Sequence, residues 1–294
     1  MKCNLIVPGF AKCGTSSLHE YLNMHPNICM SATKEPHYFS HNEVYARGYK
    51  WHDSLFYPVD SRTTLVYGES STSYCYDETA LRRIRDDIEN PKIILIMRSP
   101  VDRLLSHFRW LWALKLENRS LIQAVEEEAS KEYDIHHSFK DSGNYATYLR
   151  GSQYSVYVPM MESIFGQANV LCISSQQLRE HPSVVLSECF QFLEIAPHTV
   201  SSRISENQTK DKLHQRTLGL ERLTPLIPRP LYHRLNSNRR LKRVVLSALG
   251  KQARTPPQIS SSVIEAVAEM LTQDIDFFHA RFTSNVEDRL DSCC

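Results

Sequence analysis

The sequence predicts an α/β fold of three layers, in which helices flank a central and mainly parallel sheet of about four to five strands. Two observations lead to this prediction. Residues 92–97 (KIILIM) form a continuous apolar run of the kind that is buried on both faces of a parallel sheet. Short apolar runs alternate along the chain with longer amphipathic segments, and this alternation is typical of βαβ units.

Each predicted strand is a short apolar run, and each predicted helix is a longer segment with a recognisable boundary. Asp77 is a suitable N-cap, and Pro100 lies in the first turn of a later helix. The first helix is expected to end before Pro26, because the residue preceding a proline disfavours the helical conformation. The predicted strands are residues 3–8, 64–68, 92–97 and 169–174. The predicted helices are residues 15–24, 77–89, 100–115, 120–132, 145–165, 182–193 and 262–282.

The composition is that of a soluble globular protein, with 41% hydrophobic and 23% charged residues. The net charge of +1 gives the whole molecule no preference for nucleic acid or for a membrane surface. No stretch approaches the roughly 18 to 20 apolar residues of a membrane helix, and no signal-peptide core follows Lys2. These features predict one domain over residues 1–294 and a cytoplasmic protein, and they leave its oligomeric state open.

The eight cysteines form no C-x-x-C pair and are scattered through predicted strands and helices. This spacing argues against a zinc site and against a disulfide framework. Most of them are expected to be small buried side chains. No set of metal ligands is apparent, so no metal is predicted.

A glycine-containing turn, within residues 7–18 (VPGFAKCGTSSL), follows the first predicted strand. Gly9 and Gly14 permit tight backbone angles, and Lys12 supplies a full positive charge. The helix that follows directs backbone N–H groups and the positive end of its dipole at the turn. This combination predicts a phosphate-binding loop. The residues expected to contact the phosphate are Lys12, Cys13, Gly14, Thr15, Ser16 and Ser17.

The loop differs from the Walker A motif of nucleoside triphosphatases, because Thr15 rather than a lysine follows Gly14. The arrangement K-x-G-T-[ST] after a strand resembles instead the 5′-phosphosulfate loop of the sulfotransferases that use 3′-phosphoadenosine-5′-phosphosulfate (PAPS). This resemblance implies a P-loop-like fold, PAPS as the sulfuryl donor and 3′-phosphoadenosine-5′-phosphate (PAP) as its product. A nucleotide kinase or triphosphatase is the alternative from another class. The run of residues 92–97 argues against it, since it leads into Arg98 rather than the aspartate of a Walker B strand.

A second motif spans residues 92–110 (KIILIMRSPVDRLLSHFRW). It resembles the 3′-phosphate segment of the same family, in which a buried strand leads into R-x-P-x-x-R and a serine lies in the next helix. Arg98 follows the strand directly, at the end where open α/β sheets place ligands. The resemblance implies that the Arg98 guanidinium and the Ser106 hydroxyl bind the 3′-phosphate. Asp102 and Arg103 are expected to cap the helix or to pair locally.

Three further stretches resemble heparan-type and related bacterial sulfotransferases, so the resemblance covers most of the chain to about residue 195. It implies a sulfotransferase of the soluble bacterial type, with the sulfotransferases of cyanobacterial alkaloid-toxin pathways as one candidate group. Where several heparan enzymes carry a second lysine this chain has Ser70, which weakens any transfer of their polysaccharide binding. The three stretches are residues 25–40 (HPNICMSATKEPHYFS), 47–56 (RGYKWHDSLF) and 67–74 (YGESSTSY).

Sulfuryl transfer requires a cation near the leaving phosphate and a base for the proton of the acceptor. Lys12 is the candidate cation, because lysine is a compact charge on a flexible stem. Glu35 matches the acidic residue of the heparan-type pattern E-x-x-[FY]-F and is the favoured base, with a pKa expected to be raised in a semi-buried cleft. His37 is the rival, because its ordinary pKa suits the task and both side chains face one side of an extended segment.

The predicted acceptor is a small molecule, such as an alkaloid natural product, that is sulfated on a hydroxyl or on nitrogen. A glycan or a lipid is the alternative acceptor. Aromatic side chains are candidate walls of an apolar acceptor pocket, and Glu69 is a candidate for attracting a cationic acceptor. The aromatic candidates are Tyr38, Phe39, Trp51, Trp110 and Trp112.

The composition changes towards the C-terminus, where residues 229–254 contain eight lysines or arginines and no acidic residue. Residues 200–260 are predicted to be a helical insertion that serves as a lid on the acceptor side. A solvated pair of basic helices is the simpler explanation of the same composition. Lys210 and Lys212 are weaker candidates for contacting the nucleotide.

Overall fold

A five-stranded sheet forms the centre of the structure, a computed structural model in which residues 1–57, 60–131, 147–200 and 254–283 are described. Its strands are β1 (Leu5–Val7), β2 (Ile28–Met30), β3 (Val66–Ser70), β4 (Lys92–Met97) and β5 (Val170–Ser174). The spatial order is β2-β3-β1-β4-β5, and every neighbouring pair is parallel. The predicted α/β class, with helices around a mainly parallel sheet, is confirmed.

The helices connect successive strands and flank the sheet. Asp77 caps one of them as predicted, since its Oδ1 accepts a hydrogen bond from the Ala80 N–H at 3.2 Å. Pro100 begins another, in the first-turn position predicted for it. The first six helices are α1 (Thr15–Leu22), α2 (Asn42–Tyr45), α3 (Tyr49–Asp53), α4 (Glu78–Asp87), α5 (Pro100–Ala113) and α6 (Leu121–Ala129). The others in the described residues are α7 (Tyr154–Phe165), α8 (Ser175–Glu180), α9 (Pro182–Phe192), α10 (Ser261–Met270) and α11 (Thr272–Thr283).

Several elements differ from the sequence prediction, among them the short helices α2, α3 and α8, which were not predicted. β2 was not predicted, because it has only three residues and is defined by its pairing with β3. The helix predicted over residues 145–165 begins only at Tyr154, after a 3-10 turn in which the Arg103 guanidinium packs against Gly151. The single helix predicted over residues 262–282 is divided at Leu271, where the backbone leaves the helical conformation.

The parallel sheet determines where a site can form, because all of its strands end at the same edge. The β4 residues Ile93–Met97 have no exposed surface, in agreement with the apolar run that predicted the strand. β4 is paired with β1 on one side and with β5 on the other, so it lies inside the sheet. The turns that follow β1, β2, β3 and β4 therefore lie side by side at the carboxyl edge.

Within the described part of the chain, no helix has both the length and the apolar character needed to cross a membrane. Nor do these same residues include a group of three His, Cys, Asp or Glu side chains placed to hold a metal ion. The six cysteines among them are unpaired and buried, as predicted for small apolar side chains.

Candidate active site

The glycine-containing loop connects β1 to α1 and is fixed on the neighbouring strand β4. The Phe10 N–H donates to the Ile96 carbonyl at 3.0 Å, and the Ile96 N–H donates to the Gly9 carbonyl at 3.1 Å. Gly14 precedes α1 with φ of 103°, a left-handed conformation that favours glycine. Thr15 then begins the helix, so the first N–H groups of α1 point out at the carboxyl edge of the sheet. The loop therefore has the geometry of an anion site.

Lys12 lies inside this loop and reaches towards α5. Its backbone is left-handed, with φ of 72°, and its Nζ lies 4.9 Å from the centre of the Trp110 ring. Burial lowers the pKa of His107 well below its usual value, and the charges of Arg103 and Lys12 lower it further. The Lys12 ammonium thus lies over the C-terminal half of α5, beside a histidine that is held neutral.

Arg98 follows β4 directly and lies at the other end of the same helix. Its guanidinium is about one third exposed, and its Nη2 is 3.6 Å from Asp102 Oδ2, which is the local pairing predicted for Asp102. Asp102, Ser106 and Trp110 follow each other at intervals of four residues, and this spacing places them on one face of α5. Arg98 and Lys12 therefore occupy the two ends of a single helix face, with the half-buried Ser106 between them.

The thiol of Cys13 lies beneath the glycine loop, near Arg98. Burial raises the pKa of Cys13, and the Tyr154 hydroxyl, then the charges of Arg103 and Arg98, oppose this increase. Cys13 is buried and lies 3.4 Å from the Tyr154 hydroxyl, so the thiol packs beneath the loop. Thr15 is buried as well, whereas Gly14 is exposed and the side chains of Ser16 and Ser17 are partly exposed. The two predicted anion-binding segments are thus adjacent at one edge of the sheet.

The segment that carries Glu35 and His37 crosses from β2 to the end of β3. The Glu35 N–H donates to the Ser70 carbonyl at 2.9 Å, and the Thr72 N–H donates to Glu35 Oε2 at 2.7 Å. The His37 N–H donates to Ser71 Oγ at 3.1 Å, while its Nδ1 lies 2.9 Å from Ser73 Oγ. Both candidate bases are therefore fixed on the turn that follows β3.

This segment is not extended, which corrects the geometry assumed from the sequence. Glu35 and His37 both have left-handed backbones, with φ of 59° and 54°. Their side chains contact the β3 turn because of these specific backbone angles and not because of the alternation of an extended chain. Such conformations are uncommon for residues other than glycine and are maintained by tertiary hydrogen bonds.

The pKa of Glu35 is lowered, whereas the sequence led us to expect a raised value. Burial pushes this pKa upward, but the charge and hydrogen bond of Lys34, together with the Thr72 N–H, outweigh burial. Glu35 is consequently an ionised carboxylate at neutral pH. Burial also lowers the pKa of His37, and the neighbouring Glu35 charge only partly opposes this. His37 is therefore neutral at neutral pH.

Several residues of this site were not singled out in the sequence. Lys34 contacts Glu35, and Thr72 donates both its N–H and its hydroxyl to the same carboxylate. His19 on α1 lies 2.9 Å from Ser70 Oγ, and burial, followed by the Lys34 charge, lowers its pKa to about 4. In the sequence, Lys34 could have been found from its position beside Glu35, and Thr72 from the polar run that follows β3. No motif pointed to His19.

The predicted acceptor residues do not form one pocket. Tyr38 is almost fully buried and Phe39 is fully buried, and both rings contact the ring of His52 in the core. Trp51 stacks on Tyr38 with ring centres 6.0 Å apart, so it belongs to this cluster. Trp110 instead lies on α5 beneath Lys12 and is the aromatic candidate that the structure places at the anion-binding edge.

Glu69 has no exposed surface, so it cannot line an acceptor cleft as predicted. Its Oε1 accepts a hydrogen bond from the Tyr74 hydroxyl at 2.8 Å. Trp112 is also engaged elsewhere, since the Arg254 guanidinium lies 3.6 Å from its ring centre and its Nε1 donates to the Thr255 carbonyl. Glu69 therefore faces the core, and Trp112 packs against the segment that begins at Arg254.

Arg103 corrects another expectation, because it makes long-range contacts in addition to one contact within its own helix. Its fully buried guanidinium donates to the Ala11 carbonyl at 3.2 Å and to the Tyr148 carbonyl at 2.9 Å, and contacts His107 Nδ1 at 2.7 Å. It therefore connects the residue before Lys12 to α5.

The predicted lid over residues 200–260 lies mostly outside the described residues, as do Lys210, Lys212 and residues 229–253.

The glycine-containing turn between β1 and α1 lies beside β4, which leads directly into Arg98. This arrangement is typical of α/β proteins that bind anionic ligands at the carboxyl edge of the sheet. The model of the sulfotransferase domain matches residues 3–221, and the chain therefore belongs to the sulfotransferase family. The resemblance found in the sequence is thus confirmed, and the chain is an enzyme of the transferase class.

Individual relatives agree with this assignment. The chain is 30% identical over 205 residues to the bifunctional heparan sulfate N-deacetylase/N-sulfotransferase 3 of Homo sapiens, covering 66% of this chain and 22% of that protein. It is 33% identical over 135 residues to the membrane-associated sulfotransferase kil1 of Dictyostelium discoideum, covering 45% and 28% of the two chains. It thus spans well under half the length of these relatives.

Among solved structures, the chain is similar to a sulfotransferase from Alicyclobacillus acidocaldarius, with a TM-score of 0.59 and 25% sequence identity. That similarity covers 74% of this chain and 91% of the other. It supports the same three-layer arrangement of helices around the parallel sheet.

Proposed function

We propose that this protein transfers a sulfuryl group from PAPS to a hydroxyl or a nitrogen of a small-molecule acceptor. One observation carries the proposal: Lys12 and Arg98 lie at the two ends of one face of α5, at the carboxyl edge of the sheet. PAPS has anionic groups on the 5′ and 3′ oxygens of its ribose, so two cationic side chains at the same edge of the sheet are suited to bind it. The single-domain arrangement, the cytoplasmic location and the lid remain predictions.

The residues of the glycine loop suit the 5′ end of this donor. The N–H groups at the start of α1 and the hydroxyls of Ser16 and Ser17 are suitable donors for a phosphosulfate, and Thr15, which is buried, contributes its backbone N–H. PAPS supplies the sulfuryl group when it is bound. Lys12 then offsets the negative charge that grows on the leaving phosphate oxygen. Arg98 and Ser106 hold the 3′-phosphate and so fix the position and orientation of the donor.

The proton of the acceptor is taken by Glu35 in this proposal. Its carboxylate is ionised at neutral pH, because the Lys34 and Thr72 contacts lower its pKa. An ionised carboxylate is able to accept a proton as the acceptor oxygen or nitrogen attacks sulfur. His37 is the competing base, since it is neutral at the same pH and lies on the same turn.

The two candidate bases are separated by substitution. We expect Glu35→Gln to lower kcat by about 100-fold or more, as for loss of a general base, while the Kd of PAP stays unchanged. His37→Ala is expected to have the smaller effect on kcat. Steady-state rates with titration calorimetry on both variants make the comparison, and a larger loss in His37→Ala reverses the assignment. Because Lys34 and then Thr72 hold the pKa of Glu35 below its ordinary range, kcat should stay constant from neutral pH into the acidic range and decline only where the lowered carboxylate is protonated.

A glycan is the second candidate acceptor, since one relative is named as a heparan sulfate N-sulfotransferase. Mass spectrometry after incubation of the PAPS-loaded protein with small-molecule and glycan acceptors distinguishes the two, because the sulfated product gains the mass of one SO3 group.

Binding of the donor is tested separately, by the thermal stability of the protein with added nucleotide. We expect PAP to raise Tm more than ATP does, because ATP lacks a 3′-phosphate for Arg98, and a larger shift with ATP would support the kinase alternative.

A further inference from the structure

A fully buried carboxylate lies directly beneath the segment that carries the candidate bases. Glu69, in β3, has no exposed surface. Its Oε1 accepts from the Tyr74 hydroxyl at 2.8 Å, and its Oε2 accepts from Ser71 Oγ at 3.4 Å. The ring of His52, also fully buried, brings Nε2 to 3.6 Å from the same Oε1. Burying a carboxylate is costly unless its partners compensate, so the position of Glu69 calls for a role beyond packing.

Both hydrogen-bond donors to Glu69 hold the base-carrying segment in turn. The Tyr74 hydroxyl accepts a hydrogen bond from the Phe39 N–H at 3.2 Å. Ser71 Oγ accepts one from the His37 N–H at 3.1 Å. A hydroxyl that donates to a carboxylate is oriented by it and presents its lone pairs in a fixed direction. Glu69 therefore determines where these two backbone N–H groups lie.

The segment needs these hydrogen bonds because its backbone is left-handed at His37. His37 has φ of 54°, a conformation that a histidine rarely adopts without tertiary support. The His37 ring is further held by Ser73 Oγ at 2.9 Å, on the same turn after β3. Loss of the buried contacts would let this backbone relax and would displace the ring.

We propose that Glu69 is a positioning residue, which acts through the Tyr74 hydroxyl and Ser71 to hold residues 37–39 in place beside the reacting groups. The proposal rests on the proposed sulfuryl transfer and assigns Glu69 no contact with donor or acceptor. This role also explains why Glu69, which the sequence suggested as an acceptor-binding residue, is buried.

Tyr74→Phe tests this role with little change in shape. It removes the hydroxyl that links Glu69 to Phe39, and one such hydrogen bond corresponds to about a tenfold change in rate at most. We expect kcat to fall by several-fold to about tenfold, while the Kd of PAP remains unchanged because the anion sites are not involved. Glu69→Gln keeps an oxygen that accepts from Tyr74, so it should retain more activity than Glu69→Ala.

Tyr148→Phe is the matched control. The buried Tyr148 hydroxyl also donates to a buried glutamate, Glu117, at 2.8 Å, but in a separate core cluster. This variant should lose a similar amount of stability and keep its kcat. If Tyr74→Phe lowers kcat no more than Tyr148→Phe does, the positioning role is overturned.

The ring signals of His37 in NMR spectra provide a readout that does not depend on activity. We expect them to shift or broaden in Tyr74→Phe and not in Tyr148→Phe. If wild type transfers no sulfuryl group but the His37 signals respond, the placement of His37 by Glu69 stands and the proposed function fails. If wild type is active and both kcat and the signals are unchanged in Tyr74→Phe, the function stands and the positioning role fails.

Discussion

Lys12→Ala is expected to lower kcat by about 100-fold to 1,000-fold, the cost of removing one group that stabilises developing charge. The reason is geometric, because Lys12 is the cation of the glycine loop and its ammonium lies over Trp110 at the carboxyl edge of the sheet. The loss should appear in kcat more than in KM, since the leaving phosphate gains its charge only as the bond to sulfur breaks. Single-turnover rates with saturating PAPS measure the effect.

Lys92→Ala is the control for this variant. Lys92 also has its ammonium near an aromatic ring, 5.1 Å from the centre of Phe192, but it begins β4 at the opposite edge of the sheet. It pairs with Glu194 on the surface, so its removal should leave kcat at the wild-type value. Equal rates in Lys12→Ala and wild type would remove Lys12 from the mechanism.

Arg98→Ala is expected to weaken PAP binding by about 10-fold to 100-fold, as for loss of a charged hydrogen-bonding partner. Adenosine 5′-monophosphate should lose little affinity, because it has no 3′-phosphate. Titration calorimetry with both nucleotides gives the comparison. The selectivity of the loss is the decisive quantity, since general damage to the site would weaken both ligands.

Arg82→Ala is the control for losing the ion pair between Arg98 and Asp102, as distinct from losing the phosphate contact. Arg82 pairs with Glu78 one helical turn away on α4, as Arg98 pairs with Asp102. Its replacement removes a comparable surface pair and should leave both nucleotide affinities unchanged. If Arg98→Ala weakens both nucleotides equally, its assignment to the 3′-phosphate is wrong.

The parts of the fold that the sequence predicted well are those determined by local chemistry. β4 has the bounds predicted for it, because a continuous apolar run is buried on both faces whatever its neighbours are. Asp77 caps α4 because an N-cap acts on the N–H groups of its own helix. The same reasoning located the glycine loop between β1 and α1.

The features that the sequence could not predict arise from tertiary contacts. β2 is defined by its pairing with β3, which lies more than thirty residues away along the chain. The left-handed angles of Glu35 and His37 result from hydrogen bonds to the turn after β3, and these bonds have no local signature. The lowered pKa of Glu35 depends first on Lys34, its neighbour in the sequence, and then on Thr72, which only the fold brings to it.

The burial of Glu69 is another feature that the sequence could not predict, and it concerns the acceptor site. In the sequence, Glu69 follows a strand-forming run and precedes a polar turn, a pattern equally compatible with a cleft and with the core. The arrangement of Tyr74 and His52 around it decides between them. Residue type and spacing alone therefore could not tell a buried side chain from one that lines a cleft.

A crystal structure of the protein with PAP tests the central claim most directly. We expect the 5′-phosphate of one PAP molecule to contact the Lys12 loop while its 3′-phosphate contacts Arg98 and Ser106. A nucleotide that contacts only one of these two segments, or that lies away from the carboxyl edge of the sheet, would contradict the account.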